Sequence, residues 1–168
     1  MTAAKEPNAL ELLEEDHRAV KKLFKEFENA KGDGRKERLA RKICLELTVH
    51  TKIEEEIFYP ALDGKVEEDL LKEAHVEHDA AKLLMAEIEA GNGESDDFFD
   101  AKVQVLSEEI DHHVEEEEDE LFPQVRKADL DLTALGAQLA ERKKELLKEY
   151  KDSGVPEPEL ETMDEVSI

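Results

Sequence analysis

Hydrophobic residues recur at alternating spacings of three and four along four long stretches of the chain, which is the pattern of amphipathic α-helices. Ala, Leu, Glu and Lys dominate these stretches, and no sustained alternation of β-branched residues indicates a strand. Residues that break helices separate them: the segment 31–35, Pro60 with Asp63 and Gly64, the segment 91–97, and Pro123. The pattern predicts four helices, at about 9–30, 35–59, 66–90 and 95–122.

A fifth amphipathic stretch at residues 132–150 is expected to pack across these helices. Because the connections are short, neighbouring helices should run antiparallel. The expected fold is therefore all-α: an up-down-up-down four-helix bundle with a short fifth C-terminal helix, forming one domain over residues 8–150. Residues 151–168 are rich in proline and acidic residues and are predicted to form a disordered tail.

Polar residues interrupt each of the four apolar stripes. Every predicted helix carries a histidine within its stripe, and two carry a glutamate one turn after the histidine. These six residues are His17, His50, Glu54, His78, His113 and Glu117. The two halves of the chain also resemble each other, since the segments starting at Asp16 and His50 align with those starting at Glu77 and His113. A duplicated helix pair would bring all six polar side chains to one level of the core.

Metal binding explains why these polar residues can be buried. Two carboxylates in an apolar stripe that lacks Lys and Arg are costly to bury unless a cation compensates them. Residues four apart share one helical face, so each His–Glu pair can direct two ligands at one point. Six ligands around a near-symmetry axis fit two metal ions bridged by both glutamates better than one tetrahedral zinc site, and mixed imidazole and carboxylate ligation with open positions favours iron or manganese. The alternative is a metal-free bundle, in which the histidines are core residues with satisfied hydrogen bonds and the glutamates face solvent.

The charge of the chain restricts its expected partners. Asp and Glu number 46 and Lys and Arg 23, which gives a formal net charge of −23. Such a surface repels phosphate groups, so we expect no binding to nucleic acid or to anionic membranes. The chain has no apolar run of about 20 residues that could span a membrane, no apolar signal segment near Met1, and a single cysteine, Cys44. These features predict a cytoplasmic protein without an internal disulfide bond.

The order of the six residues, H…HxxxE…H…HxxxE, resembles the pattern of the hemerythrin-like, HHE cation-binding family. The segments FYPAL and LFPQV that follow the two HxxxE pairs are also similar to it, and the resemblance covers about residues 8–126. It implies a non-haem di-iron centre in which carboxylates and an oxo or hydroxo group bridge two iron ions. Manganese and zinc are the alternative metals.

Members of this family have several functions, and the fold does not choose among them. The resemblance implies a protein that binds O₂ or a related small oxidant at an open metal position, in oxygen binding, sensing or storage. One alternative is a di-iron enzyme that handles peroxide as a catalase does or oxidises ferrous iron. Another is a metal- or oxygen-responsive sensor or interaction module. Whether the protein is an enzyme, and which protein partner it has, stay open at this point.

One departure from the family pattern concerns the third predicted helix. The oxygen-carrying hemerythrins have a fifth histidine ligand four residues before the position of His78, and Ala74 stands there in this chain. His75, three residues before His78, is a possible additional ligand. If it binds, one metal ion is closed and the other keeps the open position. If it does not, the two ions are nearly equivalent, which favours peroxide or redox chemistry over reversible O₂ carriage.

Several neighbouring residues are not predicted to bind metal. The glutamates interpreted as solvent-facing charges, which at most guide incoming cations, are Glu55, Glu56, Glu115, Glu116 and Glu118. His112 is interpreted as a residue that supports a ligand or lies on a neighbouring face. Tyr59 aligns with Phe122 in the internal repeat, so its side chain is predicted to pack, and Cys44 is predicted to lie in the core.

Overall fold

The computed structural model describes residues 6–163, and all regular structure in this range is helical, with no strand. Five helices, α1 to α5, form the bundle predicted from the sequence. Three of them are continuous: α1 (Ala9–Asn29), α3 (Glu68–Ala90) and α5 (Leu132–Ser153). The other two each contain one π-helical turn: α2 (Asp33–Ile53, Glu54–Phe58, Tyr59–Leu62) and α4 (Phe99–Glu116, Glu117–Leu121, Phe122–Lys127). Among residues 6–163, none of the helices contains an apolar stretch that could span a lipid bilayer.

The π-helical turns explain why prolines do not end α2 and α4. In α2 the Tyr59 N–H donates to the Glu54 carbonyl five residues earlier, and α4 repeats this bond at the equivalent position. Pro60 and Pro123 follow these turns and have no N–H to donate. The wider turn before each proline accommodates the missing bond. The helix ends predicted at the prolines are therefore wrong: α2 continues past Pro60 to Leu62 and ends at the predicted break residues Asp63 and Gly64, and α4 continues past Pro123 to Lys127.

The apolar core consists of two clusters with a polar layer between them. The cluster that α5 covers includes Leu13, Phe58, Phe122 and Leu139, and the other cluster includes Phe24, Ile43, Met85 and Leu106. Each of α1 to α4 crosses the polar layer at one of the predicted histidines. In α1, for example, Leu13 and Val20 belong to different clusters, and His17 lies between them along the helix. The predicted Cys44 core position is confirmed, since this residue is buried in the second cluster.

The fifth helix packs against α1 and α2 and closes one end of the core. Its Leu139 and Leu146 are fully buried. Contact with the start of α1 is close at Gly136, where a Cβ atom would lie 2.7 Å from the Pro7 carbonyl oxygen. A larger residue at position 136 would therefore push the two segments apart.

The chain after residue 150 differs from the disordered tail expected for residues 151–168. Residues 151–153 belong to α5. Residues 159–163 lie on α3 and form hydrogen bonds with Asp79 and Lys82. The remaining positions of the expected tail, 164–168, lie outside the described residues, as do residues 1–5.

Candidate metal centre

The six predicted polar residues meet in the layer between the two apolar clusters. Each is at most 7% exposed, and Glu54 is fully buried. They come from four helices: His17 from α1, His50 and Glu54 from α2, His78 from α3, and His113 and Glu117 from α4. The duplicated helix pairs thus bring the side chains to one level, as the internal repeat predicted.

The side chains form two groups that could each hold a metal ion. One group contains His17, His50 and Glu117, and the other contains Glu54, His78 and His113. Within each group the candidate ligand atoms lie within 4.8 Å of one another. Two imidazole nitrogens and one carboxylate oxygen in each group are suitable ligands for a transition metal.

The two glutamates connect the groups. Glu54 Oε1 lies 2.9 Å from His50 Nε2 and 3.4 Å from His78 Nε2. Glu117 Oε1 lies 3.3 Å from His17 Nε2, and its Oε2 lies 3.3 Å from His113 Nε2. Each carboxylate therefore contacts one imidazole of either group and links the two groups.

A carboxylate behind each imidazole orients its ring. For three histidines the Nδ1 atom pairs with a carboxylate oxygen: His50 with Asp16 at 2.9 Å, His78 with Glu55 at 2.9 Å, and His113 with Glu77 at 3.0 Å. For His17 the carboxylate is that of Glu118, 3.5 Å away. A carboxylate accepts a hydrogen bond from Nδ1–H, so these contacts favour the tautomer whose Nε2 lone pair faces the centre. Every pairing runs between helices, from α1 to α2, α2 to α3, α3 to α4, and α4 to α1.

The residues present fit a pair of metal ions, because the centre contains buried polar atoms without partners. Among the described residues, both Glu54 oxygens, His50 Nε2, Glu117 Oε1 and both His17 nitrogens have no well-oriented hydrogen bond. His78 Nε2 and His113 Nε2 lie 3.2 Å apart, so two lone pairs would face each other if both rings were neutral with the proton on Nδ1. Buried polar atoms without partners are costly. Metal ions at the two groups would satisfy these atoms.

The charges of the centre compensate each other in the metal-free chain. Burial disfavours the charged form of the His113 imidazole, but hydrogen bonds with Glu117 and Glu77 outweigh burial and raise its pKa to about 10. Although burial alone would raise the pKa of the Glu117 carboxyl, its close polar contacts with the His113 and His17 imidazoles hold it well below its usual range. Protons on imidazoles thus balance the carboxylates, and a metal ion would replace them.

Tyr59 was predicted only to pack, and the structure gives its hydroxyl a polar contact in the centre. The hydroxyl donates to Glu117 Oε2 at 2.7 Å and lies 3.3 Å from His78 Nε2. Burial, with the nearby charges of Glu117 and Glu54, raises the pKa of Tyr59 well above its usual value, so the phenol keeps its proton. The signal in the sequence was the difference within the repeat, where Tyr59 aligns with Phe122.

His75 and His112 are not brought into either group. His75 Nδ1 lies 2.6 Å from Glu161 Oε2, and its ring packs edge-on against Tyr59. The His112 side chain is 66% exposed and lies near Glu77 and Glu116 at the surface. The position of His75 leaves the two groups with two imidazoles each.

Two acidic residues interpreted as solvent-facing charges have a different role. The Glu55 side chain is only 8% exposed and pairs with His78 and Lys82. Glu118, which follows Glu117 as Glu55 follows Glu54, is 34% exposed and lies near His17. The interpretation of Glu56 as a surface charge is confirmed, since it is exposed and pairs with Arg142.

The chain belongs to the hemerythrin HHE cation-binding domain family, whose sequence model matches residues 8–125. It is therefore a metal-binding domain, with the two His and Glu groups as its candidate ligands. A protein of Nostoc sp. (strain PCC 7120) named DNA nickase is 29% identical over 119 residues, which are 71% of this chain and 34% of that protein. The chain spans about a third of the length of this relative.

A solved structure supports the fold. The crystal structure of a hemerythrin HHE cation-binding domain-containing protein from Mycobacterium kansasii superimposes with a TM-score of 0.76. The match covers 89% of this chain and 95% of the other, at 24% sequence identity. The likeness confirms the hemerythrin-like helical bundle.

Proposed function

We propose that this chain is a non-haem di-iron protein that binds O₂ or a related small oxidant at an open metal position. The observation that carries the proposal is the pair of buried ligand groups linked by Glu54 and Glu117. When bound, two iron ions would supply the electrons that O₂ or peroxide accepts, which the side chains of the centre cannot do.

The residues of the chain would hold and shield this pair. The Nε2 lone pairs of the four histidines would bind the ions, and the carboxylates behind the rings would keep them in position. The two apolar clusters on either side would exclude bulk water from the layer. Tyr59 would hold a proton 2.7 Å from Glu117.

The space beside the centre favours a small ligand. A cavity of about 10 Å³ is lined by the four histidines together with apolar residues such as Val20, Leu47 and Ile110. A volume of roughly 10–15 Å³ accommodates about one water molecule. An organic substrate would not fit there without rearrangement, whereas a diatomic molecule or peroxide needs only a small displacement of side chains.

Metal analysis combined with optical spectroscopy tests the proposal. We expect two iron ions per chain in protein purified with iron, near-ultraviolet absorption from the oxidised centre, and a change in the spectrum of the reduced protein when O₂ is added. Protein treated with a chelator is the control and should lack these bands. One metal ion per chain, or a spectrum that does not respond to O₂, would contradict the proposal.

The position of His75 favours a second candidate, an enzyme that turns over peroxide or oxidises ferrous iron. Because His75 faces Glu161, the two groups keep equal numbers of imidazoles, so neither metal ion would be closed by a third histidine. Two open positions suit a reaction with peroxide better than stable O₂ carriage. Oxygen release from H₂O₂ by the iron-loaded protein, compared with a stable O₂ adduct that reverses on removal of O₂, distinguishes the two functions.

We infer from the charge that the activity in the name of the Nostoc relative does not extend to this chain. The net charge of −23 opposes contact with a phosphate backbone. An electrophoretic mobility assay with duplex DNA at low salt tests this inference. A shifted band that disappears at higher salt would contradict it.

A further inference from the structure

A short segment after α5 encloses a buried carboxylate of α3. Residues 159–163, here called the strap, place the backbone N–H groups of Glu161, Thr162 and Met163 at 3.0, 2.6 and 3.2 Å from the Asp79 carboxylate. The Thr162 hydroxyl donates to the same carboxylate at 2.6 Å. Asp79 is fully buried beneath these donors. A carboxylate that accepts several hydrogen bonds holds its partners firmly.

The strap is connected to the candidate metal centre through Lys82. The Lys82 ammonium donates to the Glu159 carbonyl oxygen at 2.8 Å and to Glu55 Oε1 at 2.6 Å. The other oxygen of Glu55 pairs with His78 Nδ1 at 2.9 Å. A continuous series of hydrogen bonds thus runs from the strap to a candidate metal ligand.

A second contact links the strap to the other side of His78. Glu161 Oε2 lies 2.6 Å from His75 Nδ1, and the His75 ring packs edge-on against Tyr59. The Tyr59 hydroxyl lies 3.3 Å from His78 Nε2 and donates to Glu117. The strap therefore also contacts, through His75, the tyrosine whose hydroxyl lies beside the His78 ring.

The equivalent position in the other half of the bundle has no such support. Glu118 stands where Glu55 stands in the repeat, and the structure places no lysine against it within the described residues. It lies 3.5 Å from its histidine, whereas Glu55 lies at 2.9 Å. The side chain of Glu118 is also more exposed, 34% against 8%. The close pairing thus occurs behind His78, on the helix that the strap covers.

We propose that the strap positions His78 for metal binding by holding Lys82 and, through it, Glu55. The strap residues do not contact the metal themselves; they retain the ion at the group of Glu54, His78 and His113. The inference rests on the proposed function only in requiring that this group binds a metal. Because partners behind a metal-binding histidine commonly change metal affinity 10- to 100-fold, release of the strap should speed metal loss by roughly tenfold or more.

The first test is Thr162→Pro in the full-length chain. Proline removes the N–H and the hydroxyl that both donate to Asp79, while position 162 is exposed and outside the helices, so the bundle should still fold. Glu157→Pro is the matched control, since the Glu157 N–H has no hydrogen bond among the described residues. The measurement is transfer of cobalt(II) from the loaded protein to a chelator, with one kinetic phase expected to accelerate only in Thr162→Pro.

A double-mutant cycle tests whether the strap acts through Lys82. Lys82→Ala alone should also accelerate that phase, and adding Thr162→Pro to it should have little further effect. Additive effects of the two substitutions would overturn the proposal. Hydrogen exchange at the Met163 amide shows whether the strap is released in Thr162→Pro. If the strap is released and the rate of metal release is unchanged, the proposal is also overturned.

A merely structural role of the strap gives a different result. In that case the metal-free Thr162→Pro protein would lose thermal stability, and the release of both metal ions would accelerate by a similar factor. Equal acceleration of both ions would overturn the positioning role. The positioning role predicts faster release of one ion and unchanged release of the other, even where the loss of two donors to Asp79 lowers the melting temperature of the metal-free protein. If the unsubstituted chain binds no cobalt(II) or iron at all, the proposed function itself fails.

Discussion

The two halves of the bundle supply equivalent candidate ligands but surround them with different groups. Glu54 begins the π-helical turn of α2 and Glu117 begins that of α4, and each carboxylate lies within 3.4 Å of two imidazoles. Five residues later the halves differ. Tyr59 places a hydroxyl on Glu117, whereas the apolar ring of Phe122 lies parallel to His17.

The support behind the imidazoles differs in the same direction. Glu55, in the half that contains Tyr59, is buried and pairs with Lys82 of α3. Glu118, in the other half, lies farther from its histidine and is partly solvated. The repeat thus preserves the atoms that would touch metal and varies the groups behind them. Two metal sites with similar ligands would therefore differ in how rigidly the ligands are held and in how close a proton donor lies.

The largest expected effect comes from removing either shared carboxylate. Glu54→Ala and Glu117→Ala should each abolish binding of the metal pair, because each glutamate contacts imidazoles of both groups. Metal content per chain, measured by elemental analysis, checks this. Glu56→Ala removes a surface carboxylate of the same turn and should leave metal content unchanged. Equal metal content in all three variants would show that the ligand assignment is wrong.

The next effect concerns the pH dependence of the metal-free chain. Folded His113 keeps its proton up to a pKa of about 10, and the unfolded residue loses it near 6.5. The stability from this imidazolium is therefore complete below pH 6.5 and is lost as the pH rises toward 10. The free energy of unfolding in urea should fall over this range. His113→Gln should reduce the slope, and a slope that stays the same would exclude His113 as its source.

A smaller effect on metal affinity is expected from removing the glutamates behind the histidines, and it should differ between Glu55 and Glu118. Glu55→Ala should lower metal affinity by about 10- to 100-fold, because it removes the buried partner of His78. Glu118→Ala should have a smaller effect, since its carboxylate lies 3.5 Å from His17 and is partly solvated. Competition with a metal-binding dye measures both affinities. Equal losses would mean that the halves are supported alike.

The smallest effect is expected from Tyr59→Phe, which makes the two halves alike at this position. Glu117 would lose one hydrogen bond, so the metal-free protein should lose about 1 kcal/mol of unfolding free energy in urea. Tyr150→Phe is a suitable control, because Tyr150 is also buried but its hydroxyl has no hydrogen bond among residues 6–163. The same loss in both variants would argue against a specific contact with Glu117.

The helices and the six central residues could be predicted because both leave a periodic signal along one chain segment. Apolar spacing identified the helices, and the repeat at His17 and His78 indicated that the polar positions belong together. The continuation of α2 and α4 beyond Pro60 and Pro123 could not be predicted in this way. A proline usually ends a helix, and only the π-helical turn before it lets α2 and α4 continue.

The groups behind the ligands were missed because spacing within one helix does not report contacts between helices. Asp16 supports a histidine of α2, and Glu77 supports one of α4. Their signal was present, since each immediately precedes a predicted histidine in the repeat. Tyr59 was missed for a different reason: five residues after Glu54, a regular α-helix would turn it about 140° away. The π-helical turn brings it back toward the centre.

The division of the apolar core by a polar layer has a consequence for how an ion arrives. Every candidate ligand is at most 7% exposed, so we expect an ion to enter most readily when neighbouring helices separate for a moment. Separation costs least where the fewest apolar contacts break, and that place is the layer itself, between the two clusters. The rate of loading should therefore follow the opening rate of the bundle and not the ion concentration once the ion is abundant.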